Sequence, residues 1–357
     1  MLPLTGVLCP TCRAPLDVAA AEIACVACGQ RYPNVAGMPV LLREPDAHVA
    51  LWRGQLGLLL ERGEQTLQAL QATANGEGLL EPTRARLLAL ADAVKDQVAD
   101  VAALLGPALG GAAAPGKALP RGVVEHIGYL YRDWGWPSAG YRENDAALGE
   151  LAALLGERRL GRVLVLGAGA CGLAYELHRR HGGSETVALD IDPYLLVPAQ
   201  AVLRGERVRL TEAALGVLEA TEVARAWPLE AGAGALEPSA FRCLFADGLH
   251  PPFADASFDS VLTPWFIDQV PRDLPELLSE VARVLRPGGL WLNHGPLIFP
   301  EQVPFERRYA RAELFELATR HGLQPVAHRL ASLPYLVSPL TRRGKHEGVL
   351  SFLAHKG

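Results

Sequence analysis

Aromatic residues make up only 6% of the 357 positions, and basic residues are in deficit, leaving a formal net charge of −5. A protein that grips nucleic acid through its phosphates needs a positive surface, so the charge balance counts against a general nucleic-acid binder while leaving room for a local basic patch. No run is long and apolar enough for a membrane helix. The longest uncharged stretch, 101–116, is mostly Ala and Gly with two prolines, whereas a span needs about 20 apolar residues. The first residues, MLPLTGVLCPTC, are too short in their apolar part for a secretory signal. No internal repeat is present. What remains is a half-hydrophobic, globular composition of a length that suits two or three units. The expectation is a soluble, cytoplasmic protein, a monomer or homodimer, in which six cysteines serve as metal ligands or thiols rather than disulfides.

Four of those cysteines form two C-x2-C pairs, Cys9/Cys12 and Cys25/Cys28, separated by twelve residues. Each pair makes a knuckle with both thiolates on one side, and two knuckles close a tetrahedron around Zn2+. A redox dithiol needs only one pair and usually opens a helix, whereas Pro10 and Gly29 favour turns here. With all four positions filled by protein, the metal is structural. It holds a segment too small to bury its own core. The strand-like QRYPNVAGMPVLL (30–42) closes that unit, and Asp46 to Leu105 has helical spacing, as in RLLALADAVKDQVADVAALL. It predicts a helical hairpin packing the ribbon onto the larger C-terminal domain. A Gly/Ala/Pro linker runs from Gly106 to Gly122.

From there the pattern alternates strand and helix. RVLVLG is apolar throughout, as a central parallel strand is, and GAGACG (167–172) turns it into a helix. Glycines there allow positive φ and close approach of a ligand, with Cys171 as a small residue at a tight helix start. A bare G-x-G-x-x-G also fits nicotinamide enzymes. Asp190 ends the next strand, 23 residues after Gly167, in position for ribose hydroxyls. Asp247 ends the strand FRCLFADG, in position for an adenine amino group. A helix over Asp273 to Leu285 stops at Pro-Gly-Gly before LWLNHGP, and LQPVAHRL and VLSFLAHK read as two final strands. The long connection between Leu203 and Ala240 is expected to hold a helix over LTEAALGVLEATEVARAW.

The run D-G-x-x-x-P-F-x-D-x-S-F-D (247–259) resembles S-adenosylmethionine (SAM)-dependent methyltransferases far more than dehydrogenases. That resemblance implies an α/β, Rossmann-like seven-stranded domain over 123–357, preceded by a zinc ribbon (1–45) and a helical linker region (46–122). The cofactor residues expected are Arg132, Gly167, Ala168, Gly169, Gly172, Asp190, Ile191, Asp247, Gly248 and Pro264. The N-terminal stretch resembles the zinc-ribbon family that activates tRNA and protein methyltransferases as a separate chain.

Four further pieces resemble the carnosine N-methyltransferase family: YRDWGWP…YREN (131–144), GAGACGLAYEL, WFIDQVP (265–271) and LWLNHGPLIF (290–299). The resemblance implies methylation of an imidazole nitrogen in a histidine-containing small molecule or peptide. It places Arg132 near the SAM carboxylate and Asp268 on the ring nitrogen that is not methylated, with Trp265 and Phe266 as substrate neighbours. Asp268 also suits a helix N-cap before Gln269. Trp134, Trp136 and Trp265 are candidates either for a flat-ring pocket or for core. The chain departs from the family where Pro300 stands in place of a histidine and Lys345, His346 and Glu347 in place of tyrosines. His294 is the candidate replacement for the lost histidine, as a catalytic and substrate residue. The alternatives are an RNA base methyltransferase with the ribbon on RNA, and a non-catalytic SAM-binding module.

Overall fold

The computed structural model describes residues 5–20, 22–112, 123–136, 143–214, 216–217, 219–231, 237, 240–269 and 274–357. The second half of the expected linker (113–122), Asp273 at the start of the expected helix, Pro271, and part of the YREN motif lie outside them.

The first cysteine knuckle precedes a short antiparallel pair, β1 (Ile23–Ala24) and β2 (Arg31–Tyr32), and the second lies in the loop between its strands. A tight hairpin follows, β3 (Asn34–Val35) and β4 (Met38–Leu41), turned by Ala36 and Gly37, both at positive φ as a two-residue hairpin demands. α1 (Pro45–Ala74) opens on a proline, whose missing N–H costs nothing in a first turn, and packs against α2 (Glu81–Leu109), which stops at left-handed Gly110. The expected helical hairpin is therefore present. The Arg84 guanidinium ties its ends by donating to the carbonyls of Ala74 and Gly76. Next come α3 (Val123–Leu130), one π-helical turn over Tyr131–Gly135, and α4 (Glu143–Leu155).

The alternating part runs β5 (Gly161–Leu166), α5 (Gly172–His181), β6 (Gly183–Asp190), α6 (Pro193–Leu203), β7 (Val208–Ala213), β8 (Ala224–Leu229), β9 (Phe241–Ala246), β10 (Phe258–Pro264), α7 (Leu274–Val284), β11 (Leu285–Gly295), α8 (Arg311–Arg320), β12 (Leu323–Tyr335) and β13 (Lys345–Lys356). The main sheet has the order β12-β13-β11-β10-β5-β6-β9-β4-β3. Seven of these strands form the expected methyltransferase sheet, with β12 and β13 as an antiparallel hairpin on one edge. β5 sits near the middle, and Val163 to Leu166 are buried, as their uninterrupted apolar run requires.

Two features depart from expectation. The segment between Leu203 and Ala240 holds no helix among its described residues. It forms the antiparallel pair β7/β8, whose Trp227 and Leu210 face the core and whose Thr211 is held by Asp100 of α2 at 2.8 and 2.7 Å. Second, β4 does not close a separate ribbon. It pairs in parallel with β9, Val40 opposite Phe245 and Leu41 opposite Ala246, and so extends the main sheet. Around it, Leu8 N–H donates to the Pro252 carbonyl, Ala254 N–H to that of Gly6, and the Arg13 guanidinium to those of Pro251 and Phe253. The metal-knuckle segment is thereby bonded to the loop that connects β9 to β10.

Candidate active site

The C-terminal ends of parallel strands point their loops to one side, where ligands of such sheets bind. A cavity of about 940 Å3 lies there, bounded by the ends of β5, β6, β9 and β10, by α3 and the π-turn, and by the facing ends of β12 and β13. Sites for single small ligands span roughly 300–1,000 Å3, so this one has room for a nucleoside-sized cofactor beside a small acceptor.

The half over the glycine turn is built on β5. Gly167 and Gly169 sit at φ +69° and +55°, where a side chain would strain the backbone. The Phe266 ring packs directly on Gly167 and Gly248, so that a Cβ at either would lie within 2.3 and 2.7 Å of it. Phe266, expected on the acceptor, therefore covers the turn. Asp190 accepts from the N–H groups of Gly169 (2.6 Å), Ile191 (2.7 Å) and Asp192 (2.9 Å). Burial and the neighbouring Asp192 still push its carboxyl up to about 6. Asp247 accepts from Leu249 N–H (2.9 Å) and lies 3.0 Å from His250 Nδ1, so it caps its own loop as well as lining the cavity. Ala168, Ile191, Gly248 and Pro264 line the cavity too.

Gly172 is placed differently from expectation, and Arg132 is engaged by carboxylates of the protein. Arg132 reaches the cavity, but its guanidinium donates to Asp133 (2.6 Å) and Glu143 (3.1 Å). Burial opposes its charge, and these two carboxylates outweigh that. Gly172 does not line the cavity. Its N–H donates to Asp133 at 2.9 Å, and a Cβ there would meet the Asp133 side chain at 2.6 Å. Asp133, which sequence reasoning passed over, thus joins the R-D-W segment to the glycine turn and also accepts from Asn144. Its signal was in the sequence, as a carboxylate inside the most specific motif beside an arginine.

The other half carries Trp265, Asp268, Tyr335, Lys345 and Glu347. Trp265 holds a left-handed backbone, φ +53°, and donates its N–H to the His294 carbonyl at 2.7 Å. Gly295 makes room for that crossing, since a Cβ there would lie 3.0 Å from Trp265 Cα. The Trp265 ring leans on Tyr335 with centroids 4.6 Å apart, and the hydroxyls of Tyr335 and Tyr129 are 2.6 Å apart. Both tyrosines were missed. They come from chain segments over 200 residues apart, and no local pattern marks such a pair.

Asp268 is fully buried. Its Oδ2 accepts from Ile298 N–H (3.0 Å) across the fold, not from the first turn of a helix, and its buried Oδ1 has no partner among the described residues. Burial pushes this carboxyl up to about 6, with Glu347 adding to the rise.

His294 does not reach the cavity. It is buried beneath Trp265, with ring centroids 5.6 Å apart, and its Nδ1 lies 2.8 Å from Ser351 Oγ. Burial lowers its pKa to about 4, so the ring is neutral. A left-handed Trp265 folds over it and takes the exposed position instead. Two other tryptophans are also elsewhere. Trp134 donates to the Ala170 carbonyl from the core, and Trp136 lines a separate, mostly apolar cavity of about 570 Å3 behind the π-turn. In that second cavity the one carboxylate among the described residues, Glu212, is saturated by Trp136, Trp227 and Ser338.

In the N-terminal segment, the sulfurs of Cys9, Cys12, Cys25 and Cys28 all lie within 4.8 Å of one another, with Cys9–Cys28 at 3.6 Å and Cys12–Cys25 at 3.5 Å. A tetrahedral zinc with bonds of about 2.3 Å sets sulfur separations near 3.8 Å, so the four donors fit that ion.

Residues 164–292 match a family described as a methyltransferase domain. The chain carries an S-adenosylmethionine-dependent methyltransferase domain. A carnosine N-methyltransferase from Dictyostelium discoideum is 44% identical over 43 residues, 12% of this chain and 9% of that protein's length. Among solved structures, the complex between a Haloferax volcanii methyltransferase activator and a methyltransferase is 18% identical, covering 66% of this chain and 94% of the other at a TM-score of 0.42. A SAM-dependent methyltransferase from Methanosarcina mazei is 17% identical, with coverage of 58% and 96% and a TM-score of 0.41. Among the described residues, no helix is long and apolar enough to cross a membrane.

Proposed function

We propose that the protein is an N-methyltransferase acting on the imidazole ring of a histidine-containing small molecule or peptide, and that its four-cysteine cluster holds a structural zinc. The observation that carries this reading is Asp268, a buried carboxylate on the lining of an aromatic cavity, whose Oδ1 has no partner among the described residues. A buried carboxylate oxygen without a donor is costly unless a ligand supplies one, and an imidazole N–H is such a donor.

S-adenosylmethionine, when bound, supplies a methyl group made electrophilic by its positive sulfur. Gly167 and Gly169 give it a turn without side chains, Asp190 serves the ribose, and Asp247 the adenine. Arg132 stands beside them, its charge shared with Asp133 and Glu143. On the acceptor side, Asp268 fixes the ring tautomer by accepting from one nitrogen, which leaves the lone pair of the other directed outward. As that lone pair would bond to the methyl carbon, the carbon–sulfur bond would break with its electron pair left on sulfur, and the positive charge would pass to the ring. The Asp268 carboxylate stabilises the cation and holds the departing proton. Trp265 and Tyr335 flank the flat ring, and alignment supplies most of the acceleration.

The charge of the cavity supports the same acceptor. Asp133, Asp190, Asp192, Asp247, Asp268 and Glu347 face Arg132 and Lys345 there. Such a wall repels a phosphate backbone and suits a neutral or cationic ring. Incubation with methyl-labelled SAM and a panel of imidazole compounds, histidine peptides and RNA tests the reading. Label is expected on an imidazole nitrogen. Label on RNA, with none on any imidazole, would overturn it.

A further inference from the structure

The floor of the acceptor half carries an ion pair that the methyl-transfer chemistry does not use. Lys345 and Glu347 alternate along β13 and so point to the same face, and both line the cavity. Lys345 Nζ lies 2.5 Å from Glu347 Oε2. The two ends differ in exposure: the lysine side chain is 63% exposed, while that of Glu347 is 9% exposed. The lysine also sits over the Tyr335 ring, 4.9 Å from its centre, and that ring continues the aromatic wall begun by Trp265. Aromatic wall, buried Asp268 oxygen and opposed charges therefore share one compartment.

Burying the Glu347 carboxylate is costly, and a lysine that stays mostly in water offsets little of that cost. The arrangement becomes useful when a ligand brings a pair of its own. An ammonium group has three donors, and a carboxylate about four acceptor positions. Glu347 Oε2 has no hydrogen-bond donor among the described residues despite the nearby lysine, so each group keeps capacity for an opposite charge.

We propose that Lys345 and Glu347 form a clamp for a zwitterionic amino-acid end, with the acceptor carboxylate on Lys345 and its ammonium group on Glu347, while Asp268 takes the ring N–H. This rests on the imidazole reading and narrows it. The acceptor is a free, histidine-like amino acid, and a histidine inside a polypeptide, which has neither charge, is excluded. The clamp sets specificity, because an acceptor lacking one charge still desolvates the Glu347 side of the site and forgoes one of the two ion pairs.

Methyl transfer by the full-length protein, measured with labelled SAM, tests this with four acceptors: histidine, histamine (no carboxylate), N-acetylhistidine (no ammonium charge) and a peptide with an internal histidine. The wild type is expected to favour histidine over each of the others by about tenfold or more in kcat/KM. Lys345→Gln should erase the preference over histamine, and Glu347→Gln the preference over N-acetylhistidine, each through KM. Histamine or the internal histidine matching histidine in the wild type would overturn the clamp and leave the imidazole reading intact. No methylation of any member of the series would overturn the clamp, and no label on any imidazole compound of the wider panel would overturn the imidazole reading as well. A histidine preference that survives both substitutions would also overturn the assignment, and the wild-type series stands even if a variant fails to fold.

Discussion

Asp268 does two opposed things at once: it is destabilising as a buried charge and useful as an acceptor. Both can be measured on Asp268→Asn, whose amide keeps the shape and the bond from Ile298 N–H. Turnover should fall by about two orders of magnitude, the scale for removing one preorganised electrostatic partner. The loss should lie in kcat, because the cation exists only once transfer begins. SAM affinity by calorimetry should stay unchanged, and near-normal turnover would end the catalytic assignment. For stability, a carboxyl raised to about 6 binds its proton more tightly folded than unfolded. Its ionisation therefore lowers wild-type stability as pH rises from about 4 to 6, and the full penalty remains above that range. The Asn variant should be more stable than wild type by up to about 2–3 kcal/mol at pH 7.5, with the gain fading below pH 4. Denaturant titrations at the two pH values check the sign. At this scale much was legible: Asp190, Asp247, Asp268, Gly167, Gly169 and Gly248 reach the cavity, Arg132 does so within an ion-pair group, and Gly172 does not. His294 was misplaced because a strand pattern does not show that Trp265, just past the end of the neighbouring strand, adopts a left-handed backbone and covers it.

Elements were read well where apolar spacing is strong, and less well where tertiary contacts outweigh it. The helical hairpin and the strand-turn-helix over 161–181 follow directly from their periodicity. LTEAALGVLEATEVARAW has helical spacing and still forms β7 and β8. Its Glu212 takes bonds from two tryptophan indoles and Ser338, and its Thr211 takes Asp100, so partners far away in sequence decide its shape. The W-x-N part of LWLNHGPL proves to be internal bracing. Trp291 donates to Thr263 at 3.0 Å, Thr263 to Asn293 at 2.9 Å, and Asn293 to the Leu350 carbonyl at 3.1 Å. This buried chain ties β10, β11 and β13 beneath the cavity. Asn293→Leu should leave Thr263 only its longer bond to the Leu292 carbonyl (3.3 Å), remove the side-chain donor to the Leu350 carbonyl, and cost roughly 1–3 kcal/mol, the usual penalty for orphaning a buried polar group. Thermal melts check it. An unchanged midpoint would show that the network contributes little.

Across the whole molecule, the seven-strand order agrees with what the motif sequence implied. The addition of β4 beside β9 was invisible, because a four-residue strand, Met38–Leu41, carries no signal about its partner some 200 residues later. This pairing links the cysteine cluster to the sheet that carries Asp190 and Asp247. If the cluster holds zinc, stripping the metal with a chelator should loosen β4 first. Hydrogen exchange is expected to rise at Val40 and Leu41 and along β9, well before the β12/β13 hairpin responds. Uniform protection after complete removal of the metal would disprove the link.

The same pairing shapes how the chain is made. During synthesis β4 leaves the ribosome roughly 200 residues ahead of β9. At about 5–20 residues per second, it waits on the order of 10–40 seconds for its partner. Throughout that interval its backbone donors and acceptors are exposed to any neighbouring strand. A metal-closed knuckle that formed early would hold the β3/β4 hairpin in shape while it waits. Metal shortage during growth would then lower the yield of folded protein far more than it lowers the stability of molecules already complete.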